Sequence, residues 1–183
     1  MAEQQKSLPG DRPLNNQIER MIRVNQAGEH GAVCIYQGQL AVLGKSETGP
    51  LLEHMLDQEK VHLERFNEMM VERHVRPTAL SPIWSVFGFA LGAGTALMGK
   101  KAAMACTVAV EEVIDEHYAR QQAKLGGDQD PELEQLITKC REEENEHRET
   151  GLAHGAEQAV GYPILSSAIK GGARLAIWLS TRI

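Results

Sequence analysis

The amino-acid sequence predicts an all-α protein, a four-helix bundle with additional apolar, membrane-associated helices. Three observations carry this. Apolar residues recur at the helical period along most of the chain, and no stretch alternates as a strand would. Aromatic residues make up only 4%, which suits a core of Ala, Leu, Val and Met better than a β-sandwich. Two Glu-x-x-His tetrads, Glu59 to His62 and Glu144 to His147, each follow another glutamate, Glu29 and Glu111, by about one helix length.

The elements follow in order. Residues 1–13 are polar, contain Pro9, Gly10 and Pro13, and read as a flexible lead-in to one domain over 14–183. Ile18, Ile22, Val33, Tyr36, Leu40 and Leu43 then mark a helix over 14–43 that Gly44 ends. Pro50 suits the first turn of a second helix, which runs to about Arg73 through Leu52, Met55, Leu56, Leu63, Phe66 and Met70. A third bundle helix runs over 101–125 and closes at Gly126-Gly127. Asp130-Pro131 pairs an N-cap with a first-position proline and opens the fourth. Tyr162-Pro163 begins a last amphipathic helix, with Leu165, Ala168, Ile169, Gly172, Leu175, Ala176 and Leu179 along one stripe.

Between the second and third bundle helices, residues 77–99 carry no charge and include Trp84, Phe87, Phe89 and Leu97. A bilayer span needs about 20 apolar residues. Four glycines and early prolines argue against a plain span, and a span would part the two tetrads across the membrane. A hairpin-like or interfacial segment fits better, with Trp84 at headgroup level and Lys100-Lys101 available to anionic lipid. The alternative is a buried helix of the bundle. The last helix, with Trp178 and Arg182, is expected to add to the same surface.

Helical positions i and i+3 share a face, so each tetrad aims a carboxylate and an imidazole at one point. Isolated tetrads are unremarkable in a glutamate-rich chain; their neighbours separate ligands from idle charges. Glu59 shares its face with Leu52, Met55, Leu56, Leu63 and Phe66, and Glu29 with Ile22, Val33 and Tyr36. Glu144 has Ile137 and Cys140 upstream but Arg148 downstream. Glu111 lies among Met104, Val108, Ile114 and Tyr118, whereas Glu112 falls on a mixed strip and is expected at the surface. Burying four such carboxylates uncompensated costs on the order of several kcal/mol each, a cost cations answer. Four carboxylates and two imidazoles from four helices make the ligand inventory of ferritin-like di-iron and di-manganese proteins. Hard oxygen donors without thiolates favour iron or manganese over zinc. Glu59 and Glu144 are placed to bridge two metals, with Glu29 and Glu111 serving one each. Each half of the chain thus supplies one carboxylate and then one tetrad, a weak internal duplication.

Net charge is −6 with no basic tract, which makes nucleic acid an unsuitable partner. Cys34, Cys106 and Cys140 are odd in number, lack CxxC spacing, and read as reduced core residues. Read with Met1 as the natural start, the N-terminus has no apolar h-region, and a bacterial cytoplasmic origin is the simplest account.

Five runs carry a resemblance to a known family: QAGEHGA at 26–32, DQEKVHL at 57–63, GFALGAGTAL at 88–97, ACTVAVEE at 105–112 and EENEH at 143–147. Together they resemble the demethoxyubiquinone hydroxylase family of ubiquinone biosynthesis, over roughly residue 19 to the C-terminus. The resemblance implies two iron ions per chain on Glu29, Glu59, His62, Glu111, Glu144 and His147, with dioxygen as co-substrate. It implies a monooxygenase that hydroxylates the ring of a prenylated demethoxyubiquinol drawn from the bilayer, using an external electron donor. A helper protein of the same pathway and a peripheral place on the cytoplasmic face of the bacterial cell membrane go with it. His117 and Tyr118 match family positions beside the iron, and Tyr118 is expected to orient Glu111 or meet the quinone. His154 is a further candidate near the site, with a surface place favoured; His54 and His74 read as surface. One departure is His30, where the family pattern has tyrosine. Two rivals share part of this evidence: a ferritin-like ferroxidase or iron-storage protein, and a metal-free helical scaffold at the membrane.

Overall fold

The computed structural model describes residues 14–126 and 129–183, so the lead-in expected over 1–13 lies outside the described residues. Among those described there are six α-helices and no strand: α1 Leu14–Leu43, α2 Gly49–Glu72, α3 Ser81–Leu97, α4 Lys100–Leu125, α5 Pro131–Ala153 and α6 Tyr162–Ser180. A short 3-10 turn, Ala156–Gln158, follows α5. Local signals act where the sequence places them. The Asp130 carboxylate accepts from the Leu133 amide (3.2 Å) at the start of α5, and Gly126 ends α4 in the left-handed region at φ 61°.

Helices α1, α2, α4 and α5 form the bundle, while α3 lies along α1 and α6 along α4. The duplication therefore extends to three helices per half: a bundle pair and an outer helix. Two apolar clusters fill the interior. One gathers Ile22, Phe66, Met69, Tyr118, Leu133 and Ile137; the other gathers Tyr36, Leu52, Met55, Met104, Val108 and Ala156. Along every bundle helix the expected ligands fall between these clusters, so the site occupies the middle of the bundle. A third cluster joins Ile35 of α1, Cys106 and Val110 of α4, Leu91 of α3 and Ile169 of α6. It places the two outer helices over the same α1–α4 side.

Residues 81–97 form one helix rather than a hairpin. The glycines there serve a close crossing. A Cβ on Gly92 would stand 1.9 Å from the Ile35 carbonyl oxygen, and one on Gly38 would stand 2.2 Å from that of Phe89. Only glycine lets the α1 and α3 backbones approach so closely. Trp84, expected at headgroup level, is half-buried, and its indole N–H donates to Ser180 Oγ (2.9 Å), tying the start of α3 to the end of α6. The outer face of α3 stays apolar and open at Val86, Phe87 and Leu97. On α6 the expected stripe divides: Ile169 is buried, whereas Leu175 and Trp178 are exposed. No helix among the described residues is long and apolar enough to cross a membrane. Cys34, Cys106 and Cys140 are buried free thiols.

Candidate metal centre

Helix α1 contributes Glu29, α2 Glu59 and His62, α4 Glu111, and α5 Glu144 and His147. All six are at most 3% exposed. They converge as two overlapping groups. Donor atoms of Glu29, Glu59, His62 and Glu144 lie within 4.8 Å of one another, and so do those of Glu59, Glu111, Glu144 and His147. Glu59 and Glu144 belong to both, the arrangement that two bridging carboxylates require.

Each imidazole turns Nδ1 into the cluster. His62 Nδ1 lies 3.2 Å from Glu144 and 3.5 Å from Glu29, while His147 Nδ1 lies 3.1 Å from Glu144 and 3.2 Å from Glu59. Neither Glu59 oxygen accepts a hydrogen bond, and His62 Nδ1 makes none despite its short contacts. Buried polar atoms are almost always paired, so orphans converging on one point are the environment a cation fits. The donor set, mostly oxygen with one imidazole per group, fits a pair of hard to borderline divalent ions.

Electrostatics tell the same story through protons. Burial works against a charge on His62 and His147, but the surrounding carboxylates outweigh it. They raise His62 above its ordinary value and bring His147 to about 9. Burial, then the charges of Glu144 and Glu59, push Glu111 well above the carboxylate range. Protons here take up charge that metal ions would otherwise neutralise.

The surroundings are arranged crosswise between the halves. Tyr118, seven residues after Glu111, donates its hydroxyl to Glu29 of the other half rather than to Glu111, the first of the two roles expected for it. Tyr36, seven residues after Glu29, donates to Glu111 (3.3 Å). Burial raises both phenols well above their ordinary values, which keeps them as donors. The far nitrogens of the imidazoles are engaged the same way. His62 Nε2 meets Glu143, and His147 Nε2 lies 3.1 Å from Gln58 Oε1. Sequence reasoning missed Tyr36, Gln58 and Glu143 as site residues, although the seven-residue offset shared by the tyrosines was there to read.

Among the remaining candidates, His117 makes its hydrogen bonds outside the six-residue cluster. Its Nε2 lies 2.7 Å from Gln121 Nε2 and 3.2 Å from Asn25 Oδ1. Burial, then Arg120 and Lys124, lower it to about 4, so it is neutral and accepts the Gln121 amide proton. Glu112 is partly exposed and pairs with Lys170 of α6. His154 is half-buried and turns Nδ1 to the Thr150 carbonyl (2.8 Å), outside the cluster. His54 and His74 are exposed, and His30 contacts Ser85 Oγ (2.7 Å) on α3. Cys140 was read only as core; its thiol also lies within 4.8 Å of donor atoms of Glu29 and His62.

A family model described as "Ubiquinone biosynthesis protein COQ7" matches residues 16–180. The 3-demethoxyubiquinol 3-hydroxylase of Rhodospirillum rubrum is 58% identical over 96% of this chain and 83% of its own length. The human NADPH-dependent 3-demethoxyubiquinone 3-hydroxylase, mitochondrial, is 56% identical over 91% of this chain and 78% of its own. The 5-demethoxyubiquinone hydroxylase of Saccharomyces cerevisiae is 42% identical, over 91% and 78%.

Proposed function

This chain belongs to the COQ7 family and is a hydroxylase of ubiquinone biosynthesis, and from that premise we propose that the six residues at the bundle centre would hold two iron ions, which would supply the redox chemistry that puts one atom of dioxygen on the ring of a prenylated demethoxyubiquinol. The observation that carries the reading is the pair of overlapping buried ligand groups that share Glu59 and Glu144. Ferrous ions in such a site supply the two electrons that dioxygen activation needs. Glu59 and Glu144, common to both groups, would serve both ions, with Glu29 and His62 holding one and Glu111 and His147 the other. Tyr118 and Tyr36 fix the two terminal carboxylates by donating to one oxygen each, which leaves the second oxygen free to ligate. The two apolar clusters keep bulk water from the centre, as oxidative chemistry at a ring carbon requires.

The reaction balances when an external two-electron donor and two protons send the second oxygen atom to water. The human relative is named NADPH-dependent, which suggests a reduced nicotinamide dinucleotide as that donor. A groove of about 600 Å³ between α1, α4 and α6 suits its phosphates. Arg20, Arg120, Lys124, Arg174 and Arg182 line it, a cationic concentration in a chain of net charge −6, and His117 forms part of its wall. The quinol resides in lipid. The open apolar faces of α3 and α6 are suited to rest on a membrane surface, on the side that covers the helices of Glu29 and Glu111. The place assigned is peripheral, on the cytoplasmic face, with a helper protein of the pathway as a further partner. Iron storage shares the ligands but explains neither outer face, and none of the three relatives described is named for it.

Supplying labelled dioxygen to the iron-loaded, reduced enzyme with a short-chain demethoxyquinol tests the reading. One labelled oxygen on the product ring is expected. Label arriving from water, or iron oxidation with mineral growth and no hydroxylated ring, would overturn it.

A further inference from the structure

The two halves of the centre supply the same ligand types, with Cys140 lying beside Glu29 and His62 alone, and they differ in what stands behind each imidazole. The residue before Glu144 is Glu143, and it meets Nε2 of His62 on the opposite half. The residue before Glu59 is Gln58, and it meets Nε2 of His147 (3.1 Å). The pseudo-twofold relation of the halves makes Gln58 and Glu143 counterparts. The two imidazoles therefore occupy matching places, one backed by a carboxylate and the other by a neutral amide. Neither backing residue is a ligand candidate, and both face away from the space the six donors enclose.

Once Nδ1 holds a metal, Nε2 carries the ring proton and donates it outward. Donation to a carboxylate strengthens the imidazole as a ligand and holds its ring in place; donation to a neutral carbonyl does both more weakly. Glu143 also adds a negative charge beside only one of the two positions. Lys139, 3.7 Å from Glu143, is itself mostly exposed and screens that charge only in part. Gln58 has no such charge to give. Glu59 and Glu144 are shared, and Glu29 and Glu111 each carry one tyrosine hydrogen bond, the one on Glu111 being long at 3.3 Å, so the Gln58→Glu and Glu143→Gln exchanges isolate the contribution of the backing residues.

We propose that Glu143 is a positioning residue that makes the two metal positions unequal: the position of Glu29 and His62 binds its ion more tightly and fills first. The position of Glu111 and His147, backed by Gln58, fills second and empties first. This deepens the dinuclear reading and rests on it. A centre of this kind passes through a single-ion state with the ion beside Tyr118, not beside Tyr36.

Cobalt(II) titration of the chelator-stripped full chain tests this, because its visible absorption reports each ion as it binds. The wild-type chain should take up two ions in two resolved steps. Glu143→Gln, which gives both imidazoles an amide partner, should weaken the first step by about 10–100-fold and merge it with the second. Gln58→Glu should tighten the second step, a gain that mere loss of structure cannot produce. It also keeps the test alive if Glu143→Gln fails to fold. In His147→Ala the tight step should survive, and in His62→Ala it should vanish. Two ions per chain with both steps unmoved in Glu143→Gln and Gln58→Glu would overturn the inequality and leave the dinuclear centre standing. Fewer than two ions in the wild-type chain would overturn both.

Discussion

Tyr118 and Tyr36 hold the centre's terminal carboxylates from across the pseudo-twofold, so each can be tested alone. Tyr118→Phe removes the one hydroxyl bonded to Glu29 and leaves a buried carboxylate oxygen without it. A buried group stripped of its partner costs about 1–3 kcal/mol, so urea denaturation of the variant should show a loss in that range. Tyr36→Phe should cost less, since its contact to Glu111 is long at 3.3 Å and burial favours the neutral Glu111 acid. A second residue-scale test uses pH. His147 binds its proton up to about 9 in the folded chain, above the free imidazole's 6.5. The stability it contributes is fully present below 6.5 and is lost as pH rises through about 9. Glu111, also raised, acts with the same sign from the ordinary carboxylate value upward. The melting temperature of the metal-stripped protein should therefore fall between pH 6.5 and 9; a rise across that window would contradict the assignment. At this scale the gathering of the six buried residues was legible, because buried charge at i and i+3 among apolar neighbours has few explanations. Their supporters were not. Gln58 and Glu143 reach across to sequence-distant helices, and a helical period says nothing about which helix stands opposite.

The outer helix α3 shows how one run of residues carried two readings. Its glycines argue against a spanning helix, and no helix among the described residues is long and apolar enough to cross a membrane, but the physical use of Gly92 is the crossing with α1. Two positions on one helix separate these roles. Gly92→Ala would drive a methyl into the Ile35 backbone and should destabilise by at least about 1–3 kcal/mol. Gly94 faces open space, so Gly94→Ala should be neutral or stabilise by about 0.5–1 kcal/mol. Thermal melts of the two variants distinguish a backbone crossing from mere helix propensity; equal shifts would argue against the crossing. The open face gives a different prediction. Phe87 is 67% exposed, so Phe87→Glu should leave metal content and melting temperature unchanged while weakening attachment to anionic liposomes in a flotation assay. Joint loss of fold and metal would mean the face is structural. The bond from Trp84 to Ser180 was not legible, because an aromatic near the edge of an apolar run suits a headgroup and an interhelix hydrogen bond equally well.

For the whole molecule, the duplication read from ligand spacing is deeper than the spacing alone revealed. Each half is a bundle pair with an outer helix, and the halves exchange tyrosines and imidazole partners across the centre. The all-α class and the order of the bundle helices were legible because prolines, glycines and an Asp cap punctuate them. The sides taken by α3 and α6 were not, because their packing surfaces are set by contacts such as Gly92 with Ile35 that no local pattern reports. The most direct measurement of the central claim is the iron content of the purified chain and its bridging-ligand variant. Iron-loaded wild-type protein and Glu112→Ala should both hold two irons per chain. Glu144→Ala, which removes a donor common to both positions, should lose both. Full iron occupancy in Glu144→Ala would contradict the shared-carboxylate centre on which the account depends.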